Sequence, residues 1–424
     1  MKRLAFALFL LAMAACVPPS IINVAETDTL VSTVAYFPTT TEVPSHTPSP
    51  IPTSTTEPTP GPDLAILYLN QRQIKRFDMH SWTEEALPLS KTIQFAALSP
   101  DGQKLAYGDE TGLYLSTYPF ITDQKINGME NINNELNDES LLFSPDSALL
   151  AVSDAESLKI LSFYDNQIDL LAKNDLIQGD DSDYINHLPI AWSPDSRYLW
   201  VDVWFYEGKS SSIVDVSSKQ FSDHLMCYSD AAWLTESTLI GTVYYSGYES
   251  CGYEPGVYLI TIKGKQFKEV RIYADEANLA EEQFFDGLRV SPSKNHVSFN
   301  KTLQYEEENF LFVLDVNGGN LKEISESNSY EERFTSIFWS PSELEIYYSS
   351  GKDAYVYSLE TGEWTSLYKN TDTKIKIDAI SPDGKWLFLN NGTLLSTETG
   401  EAISLENNIP EDQEQVFVGW LENK

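Results

Sequence analysis

The chain has 424 residues, 42% of them hydrophobic, which is enough to bury a large core. Its 28 Lys and Arg face 63 Asp and Glu, and the resulting formal charge of −35 repels phosphate backbones and anionic headgroups, so composition argues against a nucleic-acid partner or a polybasic lipid patch. Twenty-three Tyr, 20 Phe and nine Trp suit pleated, half-buried surfaces and point to a sheet-rich protein.

The chain opens with Lys2 and Arg3, then twelve apolar residues from Leu4 to Ala15. A bilayer span takes ~20 residues, so this reads as a cleaved leader over 1–15. It ends in Met13-Ala14-Ala15-Cys16, which resembles the lipobox of bacterial lipoproteins, with Met13 where Leu is usual. The resemblance implies acylation of Cys16 and a lipid anchor on the outer face of a bacterial membrane. An ordinary secretory signal is the alternative, and both place the protein outside the cytoplasm. Loss of Lys2 and Arg3 takes the formal charge from −35 to −37.

From Pro38 to Pro62, eight Pro, eight Thr and three Ser make up 19 of 25 residues, a composition that builds no core and reads as a linker. Extended polyproline chain rises ~3.1 Å per residue, so this stretch can hold a domain as much as ~75 Å from its anchor. Residues 16–62 are therefore an anchored tether and 63–424 the folded domain.

That domain repeats. Leu98-Ser99-Pro100-Asp101-Gly102, Phe143-Ser144-Pro145-Asp146, Trp192-Ser193-Pro194-Asp195, Val290-Ser291-Pro292-Ser293, Trp339-Ser340-Pro341-Ser342 and Ile380-Ser381-Pro382-Asp383-Gly384 share one design, and Trp233-Leu234-Thr235 and Trp420-Leu421-Glu422 are degenerate copies. The apolar residue before each Ser serves as anchor, and the anchors step by 45, 49, 41, 57, 49, 41 and 40 residues, a mean of 46. Ser, Pro and Gly are favoured at the first, second and fourth places of a type I turn, so each motif joins two strands. Apolar runs flank it, as in Ile190-Ala191-Trp192 before and Lys385-Trp386-Leu387-Phe388 after. A third strand and a Gly-bearing hairpin signal such as Asn317-Gly318-Gly319 lead to a fourth strand, so each unit is a four-stranded antiparallel meander.

These repeats resemble the WD40-like, Ser-Pro-Asp-Gly-bearing repeats of TolB-type β-propellers, found also in the propeller domains of prolyl-oligopeptidase and dipeptidyl-peptidase relatives. The resemblance covers residues 63–424 and implies an all-β propeller. It fixes a turn and not a site. Neither a TolB-like N-terminal domain nor, after Lys424, the hydrolase domain of the peptidases is expected, so the catalytic half does not carry over. Val416 to Trp420 reads as an innermost strand, and Leu64 to Leu89 as three strands lacking one. Together they make a shared closing blade, which gives eight blades; seven is the alternative if one degenerate copy is not a blade.

Cys227 and Cys251 flank an inner strand and the strand after it, and antiparallel pairing brings them to one rim, where a disulfide is the natural outcome outside the cytoplasm. Unpaired thiols are the alternative. Catalytic motifs are not evident. Gly208-Lys209-Ser210 lacks the first Gly of a phosphate-binding loop, and the five His are scattered with no His-Glu-x-x-His. Asp180-Asp181-Ser182-Asp183 offers oxygens to Ca²⁺ but lacks EF-hand spacing, so a solvated acidic loop is favoured and no cofactor is expected. Asp230 and Asp378 lie three and two residues before their anchors, and alternation points them to opposite faces.

In such blades the first-to-second and third-to-fourth connections leave by one rim, here called the turn rim. The others leave by the opposite, loop rim. Long connections are expected on the loop rim, bearing Tyr248, Tyr253, Tyr305, Glu306, Glu307, Glu308, Glu331 and Glu332. Tyr gives broad amphipathic contact at low entropic cost. The function expected is a monomeric binding module for a protein, peptide or glycan of basic surface, touching the membrane only through its anchor. The alternatives are a hydrolase or lyase over the central channel and a scaffold in envelope assembly.

Overall fold

A computed structural model describes residues 61–422, apart from 90–91, 130–139, 155, 175–184, 206–207, 223–226, 244–253, 265, 277–282, 304–307, 328–333, 371–372 and 406–414. The regular structure of the described residues is almost wholly strand and forms eight four-stranded antiparallel sheets. Blade 1 combines Leu64–Asn70, Gln73–Asp78 and Thr83–Ala86 with the last strand, Val416–Glu422. Blades 2 to 8 are sequential meanders over 95–125, 141–173, 185–221, 230–273, 283–327, 334–369 and 377–404. The inner strand of each blade lies against that of the next, and Val416–Glu422 completes the circle by touching Ile377–Ile380 on one side and Phe95–Leu98 on the other. Eight blades and the shared closing blade are thus as the sequence leads one to expect.

The core is divided as a ring requires. Eight buried apolar clusters occupy the eight seams between neighbouring blades. Between blades 1 and 2, for example, Leu67 and Ile74 meet Leu105 and Tyr107. Each sheet buries both faces, which is why its middle strands read as nearly continuous apolar runs such as Leu64–Asn70.

The Ser-Pro-Asp motif makes the turn that its composition implies. The Gly102 N–H donates to Ser99 O at 2.8 Å, Ser99 Oγ donates to Asp101 Oδ1 at 2.6 Å, and the Lys104 N–H returns to Ser99 Oγ at 2.8 Å. The fourth residue adopts positive φ in each of the six Ser-Pro copies, +68° at Gly102 and +75° at Gly384. Ser147, Ser196, Lys294 and Glu343 hold the same conformation in the copies without Gly. That residue also links blades: Ser147 Oγ accepts from the Asp101 N–H at 3.1 Å, and the Glu343 carboxylate accepts from both the backbone and the hydroxyl of Ser293.

Inner strands carry β-bulges shortly before the anchor, at 189–191, 286–289, 335–338 and 377–379. An extra residue reverses the alternation beyond it. The expectation that Asp230 and Asp378 face opposite ways is therefore undermined, because Asp378 is itself the extra residue while the bulge of Asp230's strand lies after Trp233.

Candidate functional site

The two rims differ. On the turn rim all connections are short. On the loop rim the blade-to-blade links run from six residues (328–333) to fifteen (126–140), and the second-to-third connections are not uniformly long, which corrects the sequence expectation. Asn70 to Gln73, Asp109 to Gly112 and Ser350 to Asp353 are two-residue hairpins, and only blade 5, between Val243 and Gly256, has a long connection of this class. The physical reason is that Gln71 and Arg72 adopt positive φ of 47° and 63° without Gly, a hairpin that composition does not announce.

Blades 4 and 6 have the longest inner strands. Ile185–Trp192, Tyr198–Phe205, Gln283–Val290 and His296–Leu303 run eight residues each, against four in the inner strands Phe95–Leu98 and Ile377–Ile380. At ~3.3 Å per residue the four extra residues add at most about 13 Å of strand. The crest of blade 4 leaves Ile185 41%, Trp204 41% and Phe205 38% exposed. Below it Lys209 lies 5.7 Å from the Trp204 ring and 2.8 Å from Asp202, and donates to Ser229 O at 3.2 Å. Asp202 also accepts from Ser211 Oγ at 2.7 Å. Gly208-Lys209-Ser210 therefore opens a strand and pairs a carboxylate, and no phosphate cradle forms.

Towards the axis, Asp230 Oδ2 accepts the Leu288 N–H at 3.0 Å and stands 3.9 Å from Arg289 Nη1. Leu288 lies in the bulge of blade 6, so Asp230 satisfies an N–H that the bulge removes from its ladder. Its side chain keeps 30% of its surface. Burial pushes its pKa up against the opposing pull of Arg289, the Leu288 N–H and Lys209, and Asp286 adds repulsion. Asp378 instead lies 3.7 Å from Lys376. Lys301 forms a buried ion pair with Asp275 and lies 4.9 Å from the Phe310 ring.

Of the residues singled out by sequence, Glu308 is the first residue of Glu308–Asp315, half-buried opposite Leu303. This is a correction, since Glu308 belongs to a strand and not to the loop before it. Tyr248, Tyr253, Tyr305, Glu306, Glu307, Glu331 and Glu332 lie outside the described residues, in connections whose flanking strands end on the loop rim of blades 5, 6 and 7. Cys227 is buried ahead of Asp230–Thr235, while Cys16, Cys251 and Asp180 to Asp183 lie outside the described residues. Among the described residues no three His, Cys, Asp or Glu side chains gather as metal ligands. The Asp230, Arg289 and Lys209 cluster is what sequence reasoning missed, because it joins three blades.

No family model matches the chain. No curated protein matches it. Among solved structures it is similar to a eukaryotic initiation factor, at 11% identity and a TM-score of 0.53 over 84% of this chain and 97% of that one. It is similar also to the dihydro-heme d1 dehydrogenase NirN in complex with DHE, at 12% identity and a TM-score of 0.52 over 89% of this chain and 78% of that one. A putative TolB from Agrobacterium tumefaciens is a more distant likeness, at 15% identity and a TM-score of 0.35 over 73% of this chain and 90% of that one. At these identities the likeness is one of fold, shared by enzymes and non-enzymes alike. The chain is an eight-bladed β-propeller closed by the pairing of Leu64–Asn70 with Val416–Glu422.

Proposed function

We propose that this propeller is a membrane-tethered, extracytoplasmic binding module that receives a protein, peptide or glycan of basic surface on its loop rim. The observation that carries the reading is the asymmetry of the rims. Turn-rim connections run two to six residues and their hydrogen bonds lock neighbouring turns to one another, whereas the loop rim carries the longest connections, several of them rich in Tyr and Glu. A rigid scaffold that displays long loops on one face is the usual arrangement for recognition. The formal charge of −35 steers cationic surfaces toward it. Lipidation at Cys16 and the linker hold the domain off the membrane.

The test places a photocrosslinking side chain at Phe205 on the loop rim or at Leu344 on the turn rim, in cells carrying the anchored protein. Adducts from Phe205 and none from Leu344 support the reading; the reverse overturns it. Replacing Cys16 with Ser moves the protein to the soluble fraction if the anchor is real, and an unchanged membrane fraction removes that part of the reading. One observation favours the enzyme alternative, the partly buried carboxyl of Asp230, its pKa raised, beside Arg289.

A further inference from the structure

The Ser-Pro-Asp turns of blades 8 and 2 flank the end of the closing strand, and a cleft of about 330 Å³ opens between them on the turn rim. Its walls include Pro100, Asp101, Tyr118, Pro382, Trp420 and Glu422. Three other seams are tied by an anchor Trp that donates its indole N–H to the preceding blade: Trp192 to Leu142 O, Trp233 to Ala191 O and Trp339 to Arg289 O. At this seam the anchor is Trp420, whose indole N–H is buried with no partner. Between blades 7 and 8, by contrast, the turns close tightly, and a Cβ at Gly384 would fall 2.6 Å from Pro341 Cδ.

The walls define what fits. Two proline rings and the rings of Tyr118 and Trp420 supply flat apolar surface, with Tyr118 41% exposed. Two carboxylates, Asp101 and Glu422, also line it, with Gly102, Gln103 and Leu421. Asp101 Oδ1 is engaged by the Ser99 hydroxyl and the Gln103 N–H. Oδ2 stands 3.8 Å from Lys104 Nζ, beyond hydrogen-bond length, and the Asp101 side chain keeps 44% of its surface. Burial raises its pKa, but the turn's hydrogen bonds outweigh this and hold it below the usual carboxylate range, so it is ionised at neutral pH.

We propose that this cleft binds an arginine side chain presented on an extended peptide segment. A guanidinium is planar, weakly hydrated and forked. It stacks on aromatic and proline faces while pairing with a carboxylate, whereas a lysine ammonium keeps its hydration and offers no plane. The proposal is independent of the loop rim, since the cleft lies on the opposite face.

The experiment uses the full chain with Cys16→Ser and follows the indole N–H resonance of Trp420, assigned by its loss in Trp420→Phe, during titration with acetyl-Gly-Arg-Gly amide. The expected result is a saturable shift, weakened roughly tenfold when citrulline or lysine replaces the arginine, and weakened similarly by Glu422→Gln or Asp101→Asn. Asp101→Asn keeps the Oδ1 acceptor of the turn, and Glu422→Gln lies outside it, so a folding defect in one leaves the other to decide. No shift up to about 10 mM peptide, a range covering even millimolar affinity, overturns the proposal, as do equal shifts from the arginine, lysine and citrulline peptides.

Discussion

Trp192 donates its indole N–H to the carbonyl of Leu142 at 3.0 Å, across the seam between blades 4 and 3 and 50 residues back along the chain. Trp233 and Trp339 repeat the contact one residue before the preceding anchor, so the Trp that marks the repeat also fastens the ring.

If that bond matters, Trp192→Phe loses it and leaves the Leu142 carbonyl without that donor, at a cost of about 1–3 kcal/mol including the lost ring area. Trp420→Phe forfeits no hydrogen bond, because its N–H has no partner. Thermal unfolding of both variants should show the larger loss at Trp192. Equal losses would mean that ring area alone matters.

Asp230 sets a second expectation. Burial raises its pKa in the fold above the ordinary carboxylate value of 3.8, so the folded state binds its proton more tightly than the unfolded state. Stability from this group is therefore full at low pH and is lost as pH rises through the folded value. Asp230→Asn keeps an oxygen for the Leu288 N–H and removes the buried charge. It should melt above wild type at pH 7, with the gap closing toward pH 4. A variant that melts below wild type at pH 7 would show that the charge stabilises through Arg289 more than burial destabilises it. If a catalytic assay ever responds, the same variant separates the readings, since loss of activity with unimpaired stability would favour an enzyme.

Much of this fold is local and hence legible in sequence. Ser99, Pro100, Asp101 and Gly102 specify their own turn, and the copies near 46-residue spacing fix the blades. The partnership of Leu64–Asn70 with Val416–Glu422 follows by subtraction, an orphan strand at one end and an incomplete sheet at the other. Contacts across seams are not legible. Nothing near Asp230 announces Leu288, 58 residues on, because the bulge that frees that N–H arises from packing inner strands around a narrow axis. The same bulges defeat alternation as a guide to Asp378.

Closure by the last strand is open to direct test. Removing residues 412–424 takes away the inner strand of blade 1, exposes the edge of Leu64–Asn70 and strips partners from Phe388 and Leu98. The truncated protein should melt at clearly lower temperature and aggregate on heating. Equal melting temperatures would contradict the closure.

The bridge between Cys227 and Cys251 remains a proposal with a simple check. In protein made in an oxidising compartment, denatured but not reduced, neither thiol should take up an alkylating reagent; free alkylation of both would exclude the bridge. A disulfide closing a loop of this size stabilises by ~3 kcal/mol on the chain-entropy estimate, so reduction should lower the melting temperature.

The loop rim as the recognition face is tested most directly by association kinetics. With a crosslinked partner in hand, its association rate is measured at low and moderate ionic strength for wild type and for Glu306→Gln, Glu307→Gln and Glu308→Gln combined. Charges at the rim of an interface act mainly on encounter, and Glu306 and Glu307 precede the strand that Glu308 opens. The expected result is a rate that falls with salt in wild type, falls less in the triple variant, and changes more than the dissociation rate does. A rate indifferent to salt and to all three substitutions would contradict recognition at the acidic rim.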